Sequence, residues 1–136
     1  MKVRRYEAAD RDRLVALWRD AFPDDPPHNE PSAVIDAKLA VDDLVFVAEE
    51  GGELVGACLA GYDGHRGWLY SVAVAKGRRR GGVGAALVEQ AVRTLEGLGC
   101  VKVNLQVRAA NAGAVAFYES LGFAAEERVS MGRLVR

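Results

Sequence analysis

Apolar and polar positions change period several times along the 136 residues, and each change predicts an element. Lys2–Glu7 reads as a short first strand. Asp10 stands as an N-cap, and Leu14, Leu17 and Trp18 then recur at helical spacing, predicting a helix to about Phe22. All four prolines fall between Pro23 and Pro31, where missing donors and fixed φ predict a loop. Ser32 is expected to cap a second helix with Ile35, Leu39 and Ala40 on its inner face. Leu44–Glu50 and Glu53–Tyr62 are β-rich runs joined by Gly51-Gly52, a hairpin signal. The turn Asp63–Gly67 leads into a third β-rich run, Trp68–Ala75.

From Gly82 to Leu98 the period becomes helical. Val83, Leu87, Val88, Ala91, Leu95 and Leu98 form one stripe, Glu89, Gln90, Arg93 and Glu96 lie outside it, and Gly99 marks the stop. Val101–Val107 predicts a strand. Asn111 caps a short helix ending at Gly122, and Phe123–Leu134 is expected to supply one or two final strands. The order β-α-α-β-β-β-α-β-α-β contains no repeat and no linker, so residues 1–136 are expected to form a single domain. An antiparallel meander followed by a strand–helix–strand crossover implies a mixed sheet with helices on both faces. The expected fold class is α/β (α+β).

Composition narrows this picture. Half the residues are hydrophobic and 27% are charged, enough for a core without a disulfide or metal staple. Cys58 and Cys100 lie in apolar stretches and read as buried, reduced thiols. With His28 and His65 they offer no zinc spacing, so no metal is expected. No apolar leader opens the chain and no run approaches the ~18 apolar residues of a membrane span, so a cytoplasmic protein with no membrane partner is expected. Residues 1–53 hold thirteen acids against seven bases, and residues 54–136 six acids against eleven bases. That split excludes a uniformly basic nucleic-acid binder. It places an anionic ligand on the second half, and the acidic first half favours a cationic acceptor.

The chemistry concentrates at Val74–Leu87, where a strand runs into a basic, glycine-rich turn that opens onto the amphipathic helix. A helix start carries unpaired N–H groups and partial positive charge. Gly81, Gly82 and Gly84 remove the Cβ atoms that would hold a ligand off those amides, and Arg78, Arg79 and Arg80 add guanidinium forks suited to phosphate. A Walker loop would need Lys and Ser/Thr after its second glycine, where Ala85 and Ala86 stand. A dinucleotide fingerprint would need Gly or Ala at Leu87. Neither fits.

Arg79-Arg80-Gly81-Gly82-Val83-Gly84 resembles the acyl-CoA pyrophosphate loop of the GNAT N-acetyltransferases, written Gln/Arg-x-x-Gly-x-Gly/Ala. Val72-x-Val74 before it and Asn111-Ala112-Gly113-Ala114-Val115-Ala116-Phe117-Tyr118 after the next strand are similar to that family's supporting features. The turn Gly61–Gly67, Asn29-Glu30-Pro31 and Ser130–Leu134 resemble the small bacterial YpeA-type members. Two departures stand out: Lys76 replaces a frequent proline, and Arg80-Gly81 reverses the more usual Gly-Arg.

The resemblance implies a central mixed sheet of six to seven strands with about four helices on both faces. It implies acetyl-CoA as cosubstrate, held by Val72, Val74, Arg79, Arg80, Gly81, Gly82, Val83, Gly84, Ala85, Asn111 and Phe117. It makes Tyr118 the general acid that protonates the departing thiolate, a role suited to a phenol that keeps its proton to about pH 10. It also implies a bulge that splays Val72 and Val74 from the next strand, so that an amide near Val72 holds the developing oxyanion. The amine acceptor, protein or small molecule, attacks directly in a ternary complex. Asp63, His65 and Tyr70 are the candidates on its side, and Asn104 and Gln106 are further candidates for a water path. No general base is assigned, because Trp68–Ala75 holds no acid. His28 in the proline-rich loop reads as solvent-exposed, and Trp18 as core. Relatives occur as monomers and homodimers. The alternative function is a non-catalytic module that binds or senses acyl-CoA.

Overall fold

A computed structural model describes residues 1–136. It comprises two compact units, Met1–Leu105 and Gln106–Arg136.

The first unit is built on a five-stranded mixed sheet in chain order: β1 (Lys2–Arg5), β2 (Val45–Glu50), β3 (Glu53–Tyr62), β4 (Arg66–Val74) and β5 (Lys102–Asn104). The first four strands pair antiparallel, and β5 pairs parallel to β4. That is the meander and crossover the hydrophobic pattern predicts. Gly51 and Gly52 take φ of +60° and +79°, the left-handed pair that a tight hairpin between β2 and β3 requires.

Helices α1 (Arg11–Ala21) and α2 (Pro31–Leu39) cover one face. There Leu14, Leu17, Trp18 and Ile35 pack with Val45, Val47, Ala57, Leu59 and Ala73. Helix α3 (Val83–Gly97) covers the other face. Its approach is close: a Cβ on Gly56 of β3 would stand 2.7 Å from both Leu87 Cδ1 and Val83 Cγ1. Because one face of the sheet is filled from α1 and the other from α3, the strands between them are apolar on both sides.

Several local expectations are corrected. Asp10 precedes α1, but its side chain does not cap that helix. It is buried and accepts a two-pronged pair from Arg4 at 2.8 and 2.9 Å, with Arg13 at 2.7 Å and the Glu7 N–H at 2.8 Å. The Arg4 guanidinium beside it, more than any other group, holds its carboxyl down to about 2. The cap of α2 is Glu30, not Ser32: its carboxylate accepts from Ala33 N at 3.1 Å, because Pro31 takes the first helical position. Leu39 and Leu98, assigned to inner faces, are 41% and 51% exposed. Each closes its helix, where the chain is already turning away from the sheet.

The expected six to seven strands are five. The run Val101–Val107 keeps only Lys102–Asn104 as strand, and no strand forms over Phe123–Leu134. Beyond Gly122 the apolar residues Val129, Met131 and Leu134 are separated by polar residues or glycine and are largely exposed. A strand needs a ladder partner as well as a suitable pattern, and this segment has none. In the second unit, α4 (Ala112–Ser120) is the regular element.

Candidate active site

Strand β4 is irregular where the chemistry is expected. Leu59 pairs with Tyr70 and Ala57 with Ala73, so Ser71 and Val72 together face Cys58. This is a β-bulge, with Ser71 at φ +49°, the only non-glycine residue in the left-handed region. Its carbonyl accepts a hydrogen bond from Trp18 Nε1 at 3.0 Å. Sequence reasoning read Trp18 only as core. It is 2% exposed, but a contact across 53 residues leaves no local signal.

The other edge of β4 is open. Pairing with β5 covers Arg66, Gly67 and Trp68 and stops. The amide of Ala75 bonds to Val55 on the β3 side at 2.8 Å. Since backbone groups alternate between edges in a regular strand, Val74 turns its N–H and C=O groups toward the unpaired side, and Val72 lies in the bulge just before it.

Two tight turns carry the chain from β4 to α3, closed by Arg78 N to Ala75 O at 3.0 Å and Gly81 N to Arg78 O at 3.3 Å. Gly82 is the N-cap of α3, at φ +80°, and offers no side chain to its first-turn amides. Those amides, of Val83, Gly84 and Ala85, follow the turns that leave the end of β4. The three arginines are not equivalent. Arg78 is tied to Glu50 and lies 3.5 Å from Glu53, anchoring the loop to the β2–β3 hairpin. Arg79 Nε reaches the Val74 carbonyl at 3.4 Å, and Arg80 is exposed. A cradle of amides without overlying Cβ atoms, two exposed guanidinium groups and a vacant strand edge fit a diphosphate joined to an amide-bearing arm.

In the second unit, Asn111 caps α4 by accepting from Ala114 N at 3.0 Å. Tyr118 stands edge-on to Phe117 and Phe123, with ring centroids 4.9 and 5.7 Å away.

The model of the acetyltransferase (GNAT) family matches residues 11–123, most of the chain. The chain belongs to that family. An acetyltransferase of Sodalis glossinidius is 36% identical over 132 residues, covering 95% of this chain and 91% of that one. Among solved structures, a putative acetyltransferase from Agrobacterium tumefaciens superposes with a TM-score of 0.80 at 28% identity, over 98% and 100% of the two chains. The aminoglycoside N-acetyltransferase AAC(6')-Iy in complex with CoA shares the fold, with a TM-score of 0.83 at 21% identity over 99% and 95%. This chain is an acetyl-CoA-dependent N-acetyltransferase.

For a GNAT enzyme, the remaining candidates have defined places. Asp63 spends its carboxylate on the turn: Oδ1 accepts from His65 N at 2.8 Å and Arg66 N at 2.7 Å, which holds the group below its ordinary range. His65 is exposed, and its carbonyl takes the Val101 N–H at 3.1 Å, tying the turn to the start of β5. Tyr70 is half-exposed beside Gly61, and burial of its inner part raises its phenol. Burial pushes the Cys58 thiol up to about 12, so it is no nucleophile at neutral pH. No group of three or more His, Cys, Asp or Glu side chains is arranged to hold a metal, and no helix is long and apolar enough to cross a membrane.

The loop between α1 and α2 adds what the sequence did not reveal. A cavity of about 10 Å³, the size of one water, is lined by Trp18, Phe22, Asp25, Asn29, Val34 and the bulge residue Ser71. Beside it lies a broader groove of about 340 Å³ whose walls include Arg19, Asp25, Pro27 and Glu30. Glu30 is held at about 2, foremost by Ser32 and then by Arg19 and Ala33 N, so its carboxylate stays ionised against Arg19 at 2.7 Å on the same groove.

Proposed function

We propose that the open edge of β4 and the start of α3 hold acetyl-CoA for transfer to a primary amine arriving from the α1–α2 loop. The observation that carries this reading is the six-residue stretch Leu69–Val74, which runs past the last β5 pairing and ends in the glycine-rich turn. In this reading the amides of Val83, Gly84 and Ala85, with Arg79 and Arg80, take the diphosphate. Val72 and Val74 pair with the arm of the ligand as a neighbouring strand would. The ligand supplies an acetyl group activated as a thioester. The Val72 N–H stabilises charge developing on the acyl oxygen, and Tyr118 holds the proton that a departing thiolate requires. Asn111 and Phe117 belong to the same cofactor-binding set.

The acceptor is an amine that arrives cationic and releases its proton to solvent before its lone pair attacks the thioester. Support comes from the acidic first half of the chain and from Asp25 and Glu30 at the groove beside the bulge. Asp63, His65 and Tyr70 border its approach from the far end of β4. The turn Gly61–Gly67 supports a place among the small bacterial YpeA-type acetyltransferases acting in the cytoplasm. The test is a thiol-release screen with acetyl-CoA across peptides, amino acids and polyamines. We expect turnover with amines that are positively charged before reaction. Turnover confined to amines that are uncharged before reaction would contradict this choice of acceptor.

A further inference from the structure

We propose that Trp18 is a positioning residue for acyl transfer, aiming the Val72 amide through the carbonyl of Ser71. The inference rests on the reading of Val72 given above. Ser71 C=O and Val72 N–H belong to one peptide unit, and no peptide bond in the chain is cis. In a trans unit the two groups are coplanar and point in opposite directions. Whatever fixes the Ser71 carbonyl therefore fixes the Val72 N–H. That carbonyl is fixed by the Trp18 indole N–H at 3.0 Å.

The bond is more than core packing. A bulge of two residues against Cys58 needs one residue out of extended conformation, and Ser71 takes that place at φ +49°. Serine is poorly suited to the left-handed region, and a β-branched neighbour such as Val72 is worse. The arrangement needs an outside constraint, or the bulge relaxes. Trp18 supplies it from a rigid platform, since it is 2% exposed and sits on α1 with Leu14 and Leu17 in the core. The same indole lines the small cavity that reaches Phe22 and Asp25, so the acceptor loop and the bulge share one support.

The test removes the donor and keeps the ring. Trp18→Phe in the full chain is expected to bind CoA with near-wild-type affinity by calorimetry, with KM for acetyl-CoA little changed. The maximal turnover should fall about tenfold to a hundredfold, because a misaimed amide stabilises developing charge less well. In the ligand-free protein the Val72 amide resonance should shift and exchange with solvent at a different rate. Adding Ser71→Gly should restore much of the turnover, since glycine holds a positive φ unaided. Should Trp18→Phe fail to fold, benzothienylalanine at position 18 keeps the bicyclic shape without the N–H, and the same outcomes are expected.

Wild-type turnover with an unmoved Val72 amide overturns the inference. So does a loss of activity that follows thermal stability and is not relieved by Ser71→Gly, since that is packing alone. If wild-type protein fails to bind CoA, the underlying reading fails. The Val72 amide of the ligand-free variant still tests the Trp18 coupling separately.

Discussion

Replacing Gly82 by valine will weaken CoA binding about tenfold or more, equivalent to a loss of roughly 1.4 kcal/mol. Gly82 sits at φ +80°, and a Cβ built on it meets no protein atom within 4 Å. A Cβ there therefore creates no internal clash. It forces a β-branched residue into the left-handed region, at a cost of about 1–2 kcal/mol, and puts a side chain over the first-turn amides of α3. Both effects fall on the proposed diphosphate seat. Gly64→Val is the matched control, since Gly64 has φ +97° and equally open surroundings but lies in the turn before β4. Both variants should lose thermal stability. Only Gly82→Val should also lose the stabilisation that CoA confers, read as a missing thermal shift and a weaker calorimetric isotherm. Equal affinities in the two variants would remove the α3 start from the binding site.

The second large effect concerns the proton. Tyr118→Phe should lower turnover by about a hundredfold to ten-thousandfold, the range that general acid catalysis contributes. CoA affinity should hardly change. The change is conservative for packing, because a phenylalanine ring keeps the edge-on contacts to Phe117 and Phe123 at 4.9 and 5.7 Å. Steady-state kinetics and calorimetry on the same preparation separate the two quantities. A variant turning over like wild type would leave the thiolate to take its proton from elsewhere.

Legibility in the sequence followed locality. The Gly51-Gly52 hairpin, the α3 stripe from Val83 to Leu95 and the Asn111 cap are short-range patterns, and each stands in the structure as expected. The choice of cap at α2 failed because Pro31 takes the first helical position and leaves the cap to Glu30, outside the residue types favoured there. The final strands failed because alternation describes a face and not a partner. Around the candidate site, the glycine-rich turn was plain in the chain. The unequal arginines were not, since the Glu50 that engages Arg78 lies on another strand. The Trp18–Ser71 bond and the cavity beside Asp25 depend on α1 lying over β4. The bulge itself came only with the resemblance, because two residues opposing one is a property of a pair of strands.

The most direct test titrates CoA into isotope-labelled protein and follows every backbone amide. Saturable shifts concentrated at Val72, Val74, Gly82, Val83, Gly84 and Ala85 are the expected result. Saturable shifts confined to other parts of the chain, or none at millimolar CoA, would contradict a site built from the β4 edge and the start of α3.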